Sequence, residues 1–335
     1  MNPLPVETTD RNSAVQRPFW RRIAATLGIL SYAAWVLVAV AAALYAPEAF
    51  RTMGGVDTKK FIPPLIQIIM VGMGATLTPE DFLRAFRLRK AVLAGMMLQF
   101  TVMPLIGALL AALFALPNEV AAGVVLIGSC SGGVASNVMT FLARGNVALS
   151  VTMTTISTLM APVMTPLAMR LLAGKYVPVE FVPMMKSIIF LIVIPVLAGL
   201  LLNRLASRGF QPVLKALPIV AMAGICFSIS IITSHSRDAL LGHGLLLLMV
   251  AVLHNATGYL GGYWGAKLLK LDEITARTVS IEVGMQNGGM ATGLAIEVLK
   301  SANAALAPAL FAFWMNVSAS LLASWWRARM PASAR

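Results

Sequence analysis

Glu282 is the residue of this chain best placed to do chemistry. Of the 13 acidic residues, 12 fall in tails, connectors or near the ends of apolar stretches. Glu282 instead lies about ten residues into such a stretch, or about 15 Å along a helix rising about 1.5 Å per residue, close to the middle of a bilayer. A charge at that depth costs roughly 3 kcal/mol, and no Lys or Arg is deep enough in the sequence to neutralise it. Three states are open: a protonated acid, a carboxylate paired with a metal cation, or a group held by hydrogen bonds alone. The residues that follow, Val283-Gly284-Met285-Gln286-Asn287-Gly288-Gly289, favour the cation. The Gly pair breaks the helix, and carbonyls at the end of its first half lose their donors and carry the negative end of the dipole. With the carboxylate and the amide oxygens they form a hard oxygen site, suited to Na⁺ and not to transition metals. The second half-helix starts just beyond, and its free N–H groups suit an anion.

A second break precedes this one. Ser131-Gly132-Gly133-Val134-Ala135-Ser136-Asn137 matches Asn287-Gly288-Gly289-Met290-Ala291-Thr292-Gly293 at an offset of 156 positions. The same offset maps Gln99 onto Asn255. Lipid cannot satisfy the backbone groups freed by a break, so it survives only inside protein or beside a water-filled cavity. Paired breaks at corresponding places in two halves point to the binding site of a secondary transporter.

Other polar groups in apolar stretches read two ways. Ser150, Thr154, Ser157 and Thr158 share one helical face by their spacing, and such a stripe either packs helices together or supplies ligands. Gln99 and Asn255 either join helices or face a site. His254 reads as a satisfied interior histidine and Cys130 as a small space-filling residue. The two cysteines and three histidines give no disulfide framework and no zinc spacing.

The elements that must position these groups are membrane spans. The 335 residues are 59% hydrophobic and 12% charged, about half the charge of a soluble domain. Apolar stretches long enough to span occur at 23–46, 61–77, 91–114, 119–143, 147–172, 183–203, 214–233, 240–268, 272–300 and 304–326, which predicts an all-α polytopic membrane protein with ten transmembrane helices. Residues 1–22 and 327–335 read as tails. Arg21-Arg22 precedes a run too long for a signal peptide. With both termini in the cytoplasm, inside segments hold 18 of the 26 Lys and Arg and outside segments 8, as the positive-inside rule asks. This bias accounts for the net charge of +13, and no soluble module is left to bind nucleic acid. Five spans per half is an odd number, so the repeat inverts: 23–172 against 183–326. An intramembrane enzyme is excluded by the lack of an acid pair, a Ser-His arrangement or a His cluster in the spans.

The stretches Gly132 to Ser150 and Glu282 to Gly289, with His254-Asn255 and Gly72 to Leu77, resemble the bile acid:sodium symporter family over about residues 25 to 326. The resemblance implies two inverted five-helix repeats. Each contributes to a panel domain (23–77, 183–233) and a core domain (91–172, 240–326), with two broken helices crossing in the core. It implies one Na⁺ site from Ser136, Asn137, Ser150, Thr154 and Glu282. A second would use Gln99, Glu282, Gln286 and the carbonyls of Val283 and Met285. Gly133, Val134, Asn287, Gly288 and Asn316 would face substrate. Bacterial relatives have Thr where this chain has Val134, and Trp-His-Asn where it reads Trp314-Met315-Asn316, so polar contacts to the anion are lost there. The expected function is sodium-coupled import of an organic anion across the cell inner membrane by alternating access. The anion is a small carboxylate such as pantoate, or one like a bile acid. Na⁺ acts as coupling ion and no cofactor is expected. A proton-coupled or efflux carrier on the same fold, or a non-transporting anion receptor, are the competing expectations. Oligomeric state is not encoded in any of these features.

Overall fold

Apolar runs bounded by Pro, Gly and charge fold as helices, because a bilayer leaves backbone groups no other partner. A computed structural model describes residues 35, 37–78, 80, 86–205 and 211–329. The tail 1–22, most of the expected span 23–46, Arg84, Arg208 and residues 330–335 lie outside the described residues; within that first span, 37–45 is helical.

Among the described residues, eleven further helices of eight residues or more carry the fold. They are α1 (Ile62–Gly74), α2 (Arg89–Leu113), α3 (Asn118–Ser129), α4 (Ala135–Leu142), α5 (Val147–Leu172), α6 (Phe181–Leu205), α7 (Gln211–His235), α8 (Arg237–Leu268), α9 (Glu273–Gly284), α10 (Gly288–Glu297) and α11 (Ala302–Ala328). Among the described residues, α2, α5, α6, α8 and α11 are each long and apolar enough to cross a membrane unbroken. The expected spans 119–143 and 272–300 are pairs of half-helices, α3/α4 and α9/α10, interrupted at the two glycine motifs. Every residue of α3 from Val120 and of α9 from Thr275 is buried, so protein surrounds both breaks.

Three details depart from the sequence reading. The helix in 61–77 ends early, at Gly74. The fold is all-α as expected, with one addition the sequence reading lacked: Thr52–Met53 and Val56–Asp57 pair as a short hairpin. Its Gly54 and Gly55 have φ of +58° and +77°, the left-handed pair that a tight two-residue turn requires. Finally, α6 contains a π-helical turn over Ile189–Val193. Pro195 follows it, and a proline ring clashes with the carbonyl four residues back, so the extra residue in that turn relieves the collision.

Small residues let α1 and α6 cross at close range, as in many membrane bundles. A Cβ on Gly74 would lie 1.9 Å from the Val196 carbonyl oxygen, and one on Gly199 would lie 2.1 Å from that of Val71. Both obstacles are backbone. Gly74→Ala is expected to destabilise the protein by about 3 kcal/mol. Thermal unfolding in detergent should show the same drop with and without Na⁺; a drop confined to one condition would mean that this crossing belongs to the ion site.

Candidate functional site

The two breaks lie against each other. Gly132 and Gln286 form an antiparallel bridge. The Gly133 N–H donates to the Met285 carbonyl at 3.2 Å, and the Asn287 N–H donates to that of Ser131 at 2.8 Å. Groups freed by one break are thus satisfied by the other, with further support from side chains. The Gly132 N–H donates to Ser157 Oγ at 3.2 Å. Gln99 donates to the Cys130 carbonyl at 3.0 Å, and Asn255 donates to that of Gly284 at 2.8 Å. Each of these two amides closes the carbonyl end of a half-helix.

Glu282 sits beside this crossing, 2% exposed. Its carboxylate accepts from Ser136 Oγ at 2.5 Å, from Thr154 Oγ1 at 3.0 and 3.2 Å, and from Ser150 Oγ. Ser150 Oγ also lies 2.8 Å from Asn137 Oδ1. All five residues of the first expected sodium site therefore meet around one carboxylate, brought there by α4, α5 and α9. No ion pair reaches Glu282 among the described residues. The ring is oxygen throughout, the donor set that a hard monovalent cation takes.

The residues of the second expected site form a hydrogen-bonded chain next to the first. Gln99 Nε2 donates to Gln286 Oε1 at 2.7 Å, and Gln286 Nε2 donates to the Val283 carbonyl at 2.7 Å. Met285 offers a carbonyl already shared with Gly133, with one lone pair to spare. The Ser/Thr stripe of α5 divides along its length. Ser150 and Thr154 face Glu282, whereas Ser157 and Thr158 hold the first break, the latter through Ser131 Oγ at 3.3 Å. His254 bonds the Met103 carbonyl at 2.8 Å, and Cys130 is buried, both as structural residues would be.

A cavity of about 510 Å³ adjoins the crossing and is lined by all five residues expected to face substrate. The Gly133 and Gly288 N–H groups do not point freely into it, because Met285 and Gln286 carbonyls accept them. Asn287 Oδ1 caps α10 by accepting from the Met290 N–H at 2.9 Å, and Asn316 Nδ2 bonds its own helix at Ala312. The end of α4 is different: it begins with no side-chain cap, and Gly133, Val134 and Ala135 line the cavity there. Val134 and Met315 do border the cavity. Sequence reasoning missed its other walls, made by Ile66, Met70 and Met73 of α1 and by Ile225 and Ile229 of α7. Among the described residues, no Lys, Arg or His lines it.

Long apolar helices, two buried breaks and an oxygen-lined acid beside a cavity define a multi-pass membrane transporter. A family model described as the sodium bile acid symporter family matches residues 63–243. The Bacillus subtilis (strain 168) protein described as an uncharacterized sodium-dependent transporter, YocS, is 42% identical over 296 residues, or 88% of this chain and 90% of that protein. A probable sodium/metabolite cotransporter of Oryza sativa subsp. japonica, BASS1, is 37% identical over 320 residues, 93% of this chain and 77% of its own. Its Arabidopsis thaliana counterpart is 35% identical over 297 residues, 89% and 73% of the two chains. The chain belongs to the sodium bile acid symporter family, and is a sodium-dependent transporter rather than an enzyme.

Proposed function

We propose that this protein imports an organic anion together with Na⁺ by alternating access. The anion is a small carboxylate such as pantoate, or a bile-acid-like anion. The observation that carries this reading is the buried Glu282 carboxylate ringed by Ser136, Ser150 and Thr154, with Asn137 against Ser150, at the crossing of two broken helices. One Na⁺ would take these oxygens, and a second those of Gln99, Gln286, Glu282, Val283 and Met285. The two ions together draw α4, α5 and α9 onto the crossing, and the anion then meets the uncapped start of α4.

The wider architecture belongs to the same proposal. Ten spans form two inverted five-helix repeats, with panel and core domains as the resemblance implies. The parallel tasks of Gln99 and Asn255, 156 positions apart, support the repeat. The charge bias supports cytoplasmic termini in a cell inner membrane. In that orientation the cavity runs from Ile66 to Thr76 and the half-exposed Val138, which lie toward the cytoplasm.

Two Na⁺ and a monoanion carry one net charge inward, worth about 2.3 kcal/mol at 100 mV. Two ions falling down a tenfold gradient add about 2.8 kcal/mol. The sum sustains a substrate gradient on the order of several thousandfold. In proteoliposomes, pantoate or taurocholate uptake is expected to follow a Na⁺ gradient at constant pH. Uptake that ignores Na⁺ and follows a pH gradient would make Glu282 a proton carrier instead.

A further inference from the structure

A second cavity, of about 380 Å³, lies between the start of α1 and the end of α10. Lys59, Lys60 and Lys300 line it, together with Glu297, and the first residues of α1 and α11 reach it through Pro63 and Ala302. Helix N-termini favour negative charge. Lys300 contacts Glu297 at 3.5 Å and Lys59 contacts Asp57 at 4.0 Å. Both pairs are well exposed and contribute little by themselves. Lys60 is exposed and forms no ion pair among the described residues.

The same two helices line both cavities. One turn beyond Pro63 on α1 comes Ile66, and one turn before Ile296 on α10 comes Gly293. A Cβ on Gly293 would lie 3.2 Å from Ile66 Cγ1, so the helices touch there, and the central cavity begins on the other side of Ile66. The lysine pocket thus lies further along α1 and α10 than the central cavity, with the Ile66–Gly293 contact between the two sets of lining residues. In the proposed orientation its lysines also lie on the cation-poor side of the membrane, which holds 8 of the 26 basic residues. Among the described residues the cavity beyond is lined by apolar and neutral polar side chains with no basic one, so an anion meets the described lysines before the Ile66–Gly293 contact.

From this arrangement we infer that the Lys59/Lys60/Lys300 pocket is an antechamber that collects carboxylate anions ahead of the central cavity. The inference rests on the anion-import reading. An incoming carboxylate pairs with Lys60 and draws Lys300 from Glu297, which raises its local concentration at the Ile66–Gly293 contact. Charged mouths of this kind raise capture rates by about tenfold or more, with steep salt dependence.

The test measures the potential of the pocket without relying on transport. Ala302→Cys is labelled in zwitterionic proteoliposomes with sulfonatoethyl and with trimethylammonioethyl methanethiosulfonate, and labelling of the parent protein is subtracted. Relative to free cysteine, the anionic reagent should be favoured by about tenfold, and added pantoate should slow it. Adding Lys59→Gln, Lys60→Gln and Lys300→Gln should return the ratio to that of free cysteine. A flat ratio, or one that the three substitutions leave in place, overturns the antechamber. So does labelling slowed by phosphatidylglycerol and not by pantoate, which would make the pocket a lipid headgroup site. In uptake assays the triple substitution should raise the KM for pantoate several-fold, keep the maximal rate and flatten the salt dependence. Na⁺-independent uptake with a charge-selective pocket would sink the coupling reading alone. Na⁺-driven uptake with a flat labelling ratio would sink the antechamber alone.

Discussion

Glu282→Gln is expected to abolish Na⁺-driven uptake and to remove stabilisation by Na⁺. Gln keeps the size of the side chain and most of its hydrogen-bonding capacity but loses the charge. A cation about 4 Å from a carboxylate gains about 4 kcal/mol at an effective dielectric of 20, which corresponds to roughly a thousandfold in affinity. Loss on that scale takes a millimolar site out of the usable range. The sign for the ion-free protein is the opposite. There the carboxylate is buried and unpaired, held only by the hydroxyls of Ser136, Ser150 and Thr154, and a neutral amide removes that desolvation penalty. Thermal unfolding should therefore show the Gln variant at least as stable as the parent without Na⁺, and unmoved when Na⁺ is added. A variant that keeps its Na⁺ shift would take Glu282 out of the ion site.

How far the site could be read from the sequence depends on contrast. Glu282, Ser150, Thr154 and the glycine pairs stand out because polar and helix-breaking residues are rare inside apolar stretches, and the structure brings the hydroxyls and the carboxylate together. The walls of the cavity had no such contrast. Ile66, Met70 and Ile229 look the same in sequence whether they face lipid, a neighbouring helix or a binding site. The two breaks were legible singly, but their mutual pairing was not, because the register Gly132 to Gln286 is a tertiary contact between segments with no local signal. For the same reason the N–H of Gly133 was expected to face an anion, whereas the Met285 carbonyl of the other break takes it up; the Gly288 N–H is taken up locally, by the Gln286 carbonyl two residues back. The π-helical turn before Pro195 escaped notice because a proline inside an apolar run signals a kink without saying how the helix absorbs it.

Gly133→Ala is expected to uncouple the site without unfolding the protein. A Cβ at Gly133 would lie 2.7 Å from the Gln286 carbonyl oxygen and 3.3 Å from its carbonyl carbon. Both are backbone atoms of the other break, so no side chain can swing aside, and comfortable contact needs about 3.5–4.0 Å. The two segments must part by a large fraction of an ångström. That motion stretches the Gly133–Met285 hydrogen bond and carries Ser136 of α4 away from Glu282 of α9. Misplacement on this scale in a preorganised site costs on the order of a hundredfold in rate, and uptake should fall by about that factor with a weakened response to Na⁺. The comparison with Gly74→Ala separates the two effects. Gly74 packs α1 on α6, so its substitution should lower the unfolding temperature alike with and without Na⁺. Gly133→Ala should leave the Na⁺-free unfolding temperature nearly in place and remove most of the Na⁺-induced rise. If Gly133→Ala instead behaved as Gly74→Ala does, the crossing would be a packing joint and not the element through which Na⁺ and substrate sense each other.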